Sequence, residues 1–245
     1  MPAHFLNLKG AKTVATQQLL LTRQAITDLV ELSAMGVVHG LAGTGKSFAV
    51  DAVLERERAI RPCLATFENY PTIRLVASTL VTAVLGADHQ VRTRFQATPA
   101  LVEALSNGPR LLVIDEAQQL NSNCIEYLRY LHDHQHTNFA LLLVGGDGCW
   151  EVLSREPMLR SRVHRRVAFR PMTSHEVPDV LARWHRLYYD QDPELLELID
   201  DVFGHGLFRN WVHFTKSFLQ VFPRARLDKD KARAIFALFG GTGAQ

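Results

Sequence analysis

One glycine-rich octapeptide constrains this chain more than any other stretch. Gly40-Leu41-Ala42-Gly43-Thr44-Gly45-Lys46-Ser47 fits G-x-x-x-x-G-K-[ST] at every fixed position. The apolar Val37-Val38 lies just before it, so the segment reads as a buried strand end, a turn and a helix start. Its glycines let successive backbone N–H groups turn inward with no Cβ in the way. The helix that follows offers its positive end to the same anion. Lys46 adds a mobile charge for β- and γ-phosphates, and the Ser47 hydroxyl is placed to ligate Mg²⁺. The stretch predicts a phosphate-cradling loop, with ATP held by Gly40, Leu41, Ala42, Gly43, Thr44, Gly45, Lys46, Ser47 and Phe48.

The remaining composition excludes more than it assigns. At 245 residues, 47% hydrophobic and 21% charged, the chain can bury a sizeable core. No apolar run approaches the length of a membrane span, and residues 1–10 lack the apolar segment of a secretory signal. The expectation is a cytoplasmic protein with no membrane contact. Cys63, Cys124 and Cys149 are far apart and make no zinc spacing, so they are expected to be free, mostly buried thiols. Net charge is +2. Residues 1–170 carry 18 basic and 15 acidic side chains, residues 171–245 carry 9 and 10, and 21 of the 27 basic residues are Arg. Arg suits phosphate recognition, although its abundance alone does not announce nucleic acid.

Periodicity predicts alternating helices and strands. After an extended arm over 1–12, helix is expected at 16–33 behind a Thr13 or Thr16 cap, then a strand at 35–40 and helix at 46–58. A strand at 62–67, helix from Pro71 to Gly86 and a short helix at 98–105 follow. Leu111-Leu112-Val113-Ile114 reads as a strand buried on both faces, as in a parallel sheet. A helix capped by Asn121 or Ser122 should run to His136, with a strand at 139–144 and short helices at 149–154 and 157–162. The last strand is expected at 166–169. Beyond Pro171 only helices are predicted: 174–189 behind Ser174, 193–204, 206–222 and 227–239. The fold class is α/β, a doubly wound parallel sheet with a small C-terminal four-helix lid. The expected domains are 1–170, including the arm, and 171–245.

The buried strand ends in Asp115-Glu116, 69 residues after Lys46. Phosphate-loop enzymes need a carboxylate at the end of a strand beside the loop's own strand to hold Mg²⁺, and Asp115 fits that role. Glu116, one residue on, fits a general base that polarises the attacking water.

The loop, the hydrophobic run into Asp-Glu and the helical tail together resemble the AAA+ ATPase superfamily over about Thr13 to Phe239. That resemblance implies further residues. Ser161-Arg162-Val163 sits where clamp-loader and initiator types place an arginine donated to the neighbouring subunit's ATP. It makes Arg162 the finger candidate and Arg160 its runner-up. Six Arg between 155 and 170 also fit a solvated or nucleic-acid-facing surface. Gly206-Leu207-Phe208-Arg209 resembles the start of the third lid helix, making Arg209 the arginine that reaches back to nucleotide. Many family members end the fourth strand with Asn, Thr or Ser to orient the lytic water. Here the sequence is Val144-Gly145-Gly146-Asp147, so either Asp147 takes that role or it is absent. His132 and His136 are spaced i, i+4 but are read as surface residues at a helix end, with no metal beyond Mg²⁺.

Within the superfamily, Asp115-Glu116-Ala117-Gln118, the small size and the Ser-Arg-Val element look most like the transposition ATPases of the phage Mu B, TnsC and TniB groups. ExeA-like ATPases are also similar. The resemblance implies an oligomeric ring or helical filament on duplex DNA that selects target DNA for a DDE transposase. Candidate phosphate contacts are Arg74, Arg92, Arg94 and Arg129. The alternatives are a AAA+ ATPase of another machine, such as replication initiation, clamp loading or ExeA-like secretion assembly, and a nucleotide switch without hydrolysis.

Overall fold

The computed structural model describes residues 8–57, 60–68, 70–89, 91, 93–107 and 110–240. The chain forms two compact units. One contains residues 17–40 and 49–169, the other residues 8–16, 41–48 and 170–240.

The first unit is built on five parallel strands. They are β1 (Met35–Gly40), β2 (Pro62–Thr66), β3 (Leu111–Asp115), β4 (Ala140–Gly145) and β5 (Val163–Phe169), in the order β2-β3-β4-β1-β5. Helices join them: α1 (Gln17–Leu32) before β1, α2 (Lys46–Arg56), α3 (Ile73–Leu85), α4 (Arg94–Ser106), α5 (Ser122–His132), α6 (Cys149–Ser154) and α7 (Pro157–Arg160). This is the doubly wound α/β fold that the alternating pattern predicts. Every residue of β3 and β4 is buried, which explains why both read as unbroken apolar runs. The edge strands differ. β2 alternates exposed and buried, and β5 buries only Val167 and Phe169 while carrying Arg165 and Arg166 outward.

One expectation is corrected by the strand order. β3, which carries Asp115, is not beside β1; β4 lies between them and pairs with both. Two strand spacings, about 10 Å, therefore separate the ends of β1 and β3.

Helix ends also moved for local reasons. α4 starts at Arg94 rather than Thr98, because the Thr93 hydroxyl accepts Gln96 N–H (3.3 Å) and starts the helix a turn before Pro99. α5 stops at His132, where Thr137 Oγ1 donates to the Leu131 carbonyl (2.6 Å) and turns the chain. Asn121 caps that helix as expected, accepting Cys124 N–H at 3.0 Å.

The second unit packs α8 (Glu176–Trp184), α9 (Pro193–Ile199), α10 (Phe208–Val221) and α11 (Lys229–Leu238) around Trp184, Tyr188, Trp211, Phe214 and Phe218. The arm expected to belong with the α/β domain packs here instead. Leu8 and Val14 enter this core, Lys12 N–H donates to the Trp184 carbonyl (2.7 Å), and Ala11 bridges His185. Residues 1–7 of the arm lie outside the described residues.

α8 is started by Thr173 and Glu176, not by Ser174. Thr173 N–H donates to Glu176 Oε2 (2.8 Å), the reciprocal half of a T-x-x-E capping box. Arg170 adds a two-pronged pair, Nη1 to Oε2 and Nη2 to Oε1, both 2.7 Å. These bonds, Arg170's first, hold the Glu176 carboxyl down at about 2 instead of the ordinary 4.5. A depressed acid stabilises above its unfolded value, and that stability is lost as pH falls from about 4.5 through about 2. The side chains are half-exposed, so Glu176→Gln is expected to cost only about 0.5–1 kcal/mol at neutral pH. In thermal melts it should also flatten the loss of Tm across that acid window.

Candidate nucleotide-binding and hydrolysis site

β1 delivers the chain into the loop that residues 41–45 form ahead of α2. Gly43 (φ 85°) and Gly45 (φ 98°) are in the left-handed region. At Gly43 there is a second demand, since a Cβ there would sit 3.0 Å from the Arg209 Cβ. The Lys46 ammonium is nearly buried and donates to the Leu41 carbonyl at 2.8 Å, as does the Thr44 hydroxyl. Ser47 follows in the first turn of α2, and Phe48 is exposed.

The N-terminal end of α10 lies on this loop. Arg209 N–H donates to the Gly43 carbonyl at 3.1 Å, and Phe208 lies 3.6 Å from where a Gly45 Cβ would be. The turn ahead of α10 is anchored by buried Asp200, in a π-helical turn spanning Asp200–Gly204. Its carboxylate accepts Gly206 N–H (2.9 and 3.0 Å) and the Trp211 indole N–H (2.8 Å). Two residues far apart in sequence, Gly43 and Arg209, are thus brought together, and Arg209 itself is exposed.

In the α/β unit, Asp115 ends β3 almost fully buried, and its Oδ1 accepts Glu116 N–H at 2.9 Å. Glu116 turns the chain in the left-handed region (φ 55°, ψ 39°) and is exposed. A non-glycine residue held there costs about 1 kcal/mol or more. Glu116 Oε2 accepts the Gln118 side-chain N–H, and Gln118 Oε1 accepts Gly146 N–H at 2.8 Å. Sequence reading gave Gln118 no role in the site beyond its place in the Asp-Glu-Ala-Gln run. Asp147, the expected stand-in at the end of β4, is an exposed residue of the turn after Gly146.

The arginine candidates divide. Arg162 is held within its own unit, Nε donating to Asp133 Oδ1 and Nη1 to the Met158 carbonyl, both 2.8 Å. Arg129 takes the other oxygen of Asp133 (2.7 Å) and also bonds Glu126 (2.8 Å). Burial alone would raise the Asp133 carboxyl, but the two guanidinium groups outweigh it and keep its pKa low. Arg129 is therefore paired within its own unit, on the same carboxylate as Arg162. Arg74, Arg94 and Arg160 are exposed. Arg92 lies outside the described residues.

His132 is not the surface residue expected. It packs edge-on against Phe139, burial pushes its pKa down, and its Nε2 is buried without a hydrogen-bond partner among the described residues. No cluster of metal-ligating side chains occurs among the described residues, and all three cysteines are free and buried. No helix of the described residues is long and apolar enough to cross a membrane.

Known structures share this fold. Cdc6p from Pyrobaculum aerophilum superposes with a TM-score of 0.74 at 16% identity, covering 97% of this chain and 71% of that one. Aeropyrum pernix ORC1, solved in complex with DNA, gives 0.71 at 19% identity over 96% and 68%. The Thermotoga maritima RuvB Holliday junction branch migration motor gives 0.60 at 18% over 96% and 73%. At these identities the likeness is one of fold. No curated protein matches the sequence. A profile described as AAA domain matches residues 30–153, just over half of the 245, from the end of α1 to α6. The chain belongs to the AAA domain family.

Proposed function

We propose that this protein is an oligomeric ATPase that binds duplex DNA without sequence preference and delivers it as target to a DDE transposase. The ATPase part is carried by one observation above the others, the contact of Arg209 with Gly43. The Arg209 backbone N–H donates to the Gly43 carbonyl, which seats the start of α10 on the phosphate-binding loop and puts an arginine beside it. In this reading Lys46 neutralises the β- and γ-phosphates and Arg209 reads the γ-phosphate. Glu116 is the general base, and Arg162 leaves Asp133 to serve a neighbouring subunit. An exposed ion pair of this kind is worth about 1 kcal/mol or less, so the exchange is not prohibitive.

The residues suit Mg²⁺. Ser47 and Asp115 are hard oxygen donors, and the Glu116 N–H bond to Asp115 Oδ1 fixes that carboxylate's orientation. Bound there, Mg²⁺ would neutralise charge on the phosphate oxygens.

The DNA part is supported by exposed Arg74 and Arg94, and by a neighbour in fold solved on DNA. The transposition part rests on the Asp115-Glu116-Ala117-Gln118 and Ser161-Arg162-Val163 resemblance. A replication-initiator role is the second reading, favoured by the fold shared with Cdc6p and ORC1 over nearly the whole chain.

The test is fluorescence anisotropy on random-sequence duplex DNA, with ATP and Mg²⁺ and without nucleotide. Cooperative, ATP-dependent binding is expected, weakening with salt by about 0.9 log units per tenfold salt for each phosphate contacted. Absent binding in both states would overturn the DNA role, and equal binding in both would overturn its dependence on ATP. ATP-dependent stimulation of strand transfer by a transposase encoded beside the gene separates transposition from replication.

A further inference from the structure

The strand β4 ends at Gly145 for lack of room rather than for backbone freedom, and Gly146 follows it. Neither Gly145 nor Gly146 has a positive φ. A Cβ on Gly145 would meet Cys149 Sγ at 2.2 Å and Gln118 Oε1 at 2.6 Å, and one on Gly146 would face Gln118 Nε2 at 3.4 Å. The space beside the end of β4 is filled by the Gln118 carboxamide, reaching in from the 3₁₀ turn Ala117–Gln119 that follows Glu116.

Two bonds fix which way that carboxamide faces. The backbone N–H of Gly146 can only donate, so it requires the amide oxygen, at 2.8 Å. The NH₂ group then points to Glu116 Oε2. Gln118 is thus a strut between the end of β4 and the carboxylate of Glu116, two residues before it on a strained turn.

We propose that Gln118 is the positioning residue for hydrolysis. It occupies Oε2 of Glu116, and so presents Oε1 to the attacking water in a fixed direction. This deepens the ATPase reading and rests on it. In the step it serves, the water oxygen bonds to the γ-phosphorus as the bond to the β–γ bridging oxygen breaks. Glu116 Oε1 takes the water's proton, and ADP and inorganic phosphate leave. Gln118 transfers nothing. It acts through the direction of the Glu116 carboxylate, and it replaces an amide or hydroxyl that β4 itself has no space to carry.

The test measures steady-state ATP turnover and nucleotide affinity in the full chain. Gln118→Glu keeps the side-chain volume and an oxygen for Gly146 N–H, but replaces the donor to Glu116 with a second carboxylate, whose repulsion turns the Glu116 carboxylate away. It should leave Tm and ATP affinity near wild type and lower kcat by about 10- to 100-fold, the scale of a sub-ångström to ångström misplacement. Gln118→Ala should lower kcat as much. Adding Gly146→Asn to it should restore at least part of the loss, because a carboxamide then enters the vacated space from the other side. A merely structural role would move Tm with Gln118→Ala, spare Gln118→Glu, and show no rescue. Wild-type kcat in Gln118→Glu overturns the proposal while leaving the ATPase reading intact. Absence of turnover in the wild-type chain overturns both.

Discussion

Lys46→Ala is expected to abolish nucleotide binding at micromolar concentrations while leaving the chain folded. Lys46 is nearly buried, and its ammonium is the one cation that the loop's own sequence supplies. It donates to the Leu41 carbonyl, 2.8 Å away. Binding therefore exchanges a neutral acceptor for phosphate oxygens carrying charge, and a charge-assisted bond is about twice as strong as a neutral one. Removing one partner from a desolvated charged pair costs about 2–5 kcal/mol, or roughly 30-fold to several thousandfold in Kd. Isothermal titration with ATP and Mg²⁺ reads this directly. Stability should fall little, since Thr44 still donates to the Leu41 carbonyl. A Kd unchanged from wild type would remove the phosphate-binding assignment of the loop.

What could be read from the sequence follows a physical line between local and non-local information. β3 and β4 were legible because a strand covered on both faces must be apolar along its length. The loop was legible because a phosphate cradle needs glycine, lysine and hydroxyl at fixed spacing. The α4 start was misplaced because Pro99 looks like a helix opener, although Thr93 caps one turn earlier. Two local signals were present and passed over: T-x-x-E at Thr173–Glu176, and the i, i+4 pair of Arg129 with Asp133. Three other features had no local signal at all. The position of β4 between β1 and β3, the docking of Leu8 and Val14 among the C-terminal helices, and the strut from Gln118 to Gly146 all join residues brought close only by the fold. The unusual end of β4 was visible as a missing polar group, but what fills its place comes from a turn that only the fold brings beside it.

Glu116→Gln should keep ATP binding within about threefold and slow turnover by about 10²-fold or more, the contribution of a positioned general base. The substitution holds volume nearly constant, so the left-handed turn at φ 55° should survive, and with it the Glu116 N–H bond that orients Asp115. What it removes is the proton acceptor. It also disturbs the strut. An amide at 116 must present its oxygen to Gln118 N–H, which leaves its NH₂ facing the water, a donor where an acceptor is required. The loss in kcat should therefore exceed that of any Gln118 variant, because Gln118 only directs the carboxylate whereas Glu116 takes the proton. The same variant holds the protein in its ATP-bound form. If DNA binding depends on that form, Glu116→Gln should dissociate from duplex DNA more slowly than wild type in the presence of ATP. A rapid-quench measurement of phosphate release, beside dissociation of the labelled duplex, separates the two effects. Turnover at the wild-type rate would move the base to another residue, and fast DNA release despite slow hydrolysis would uncouple the DNA state from the γ-phosphate.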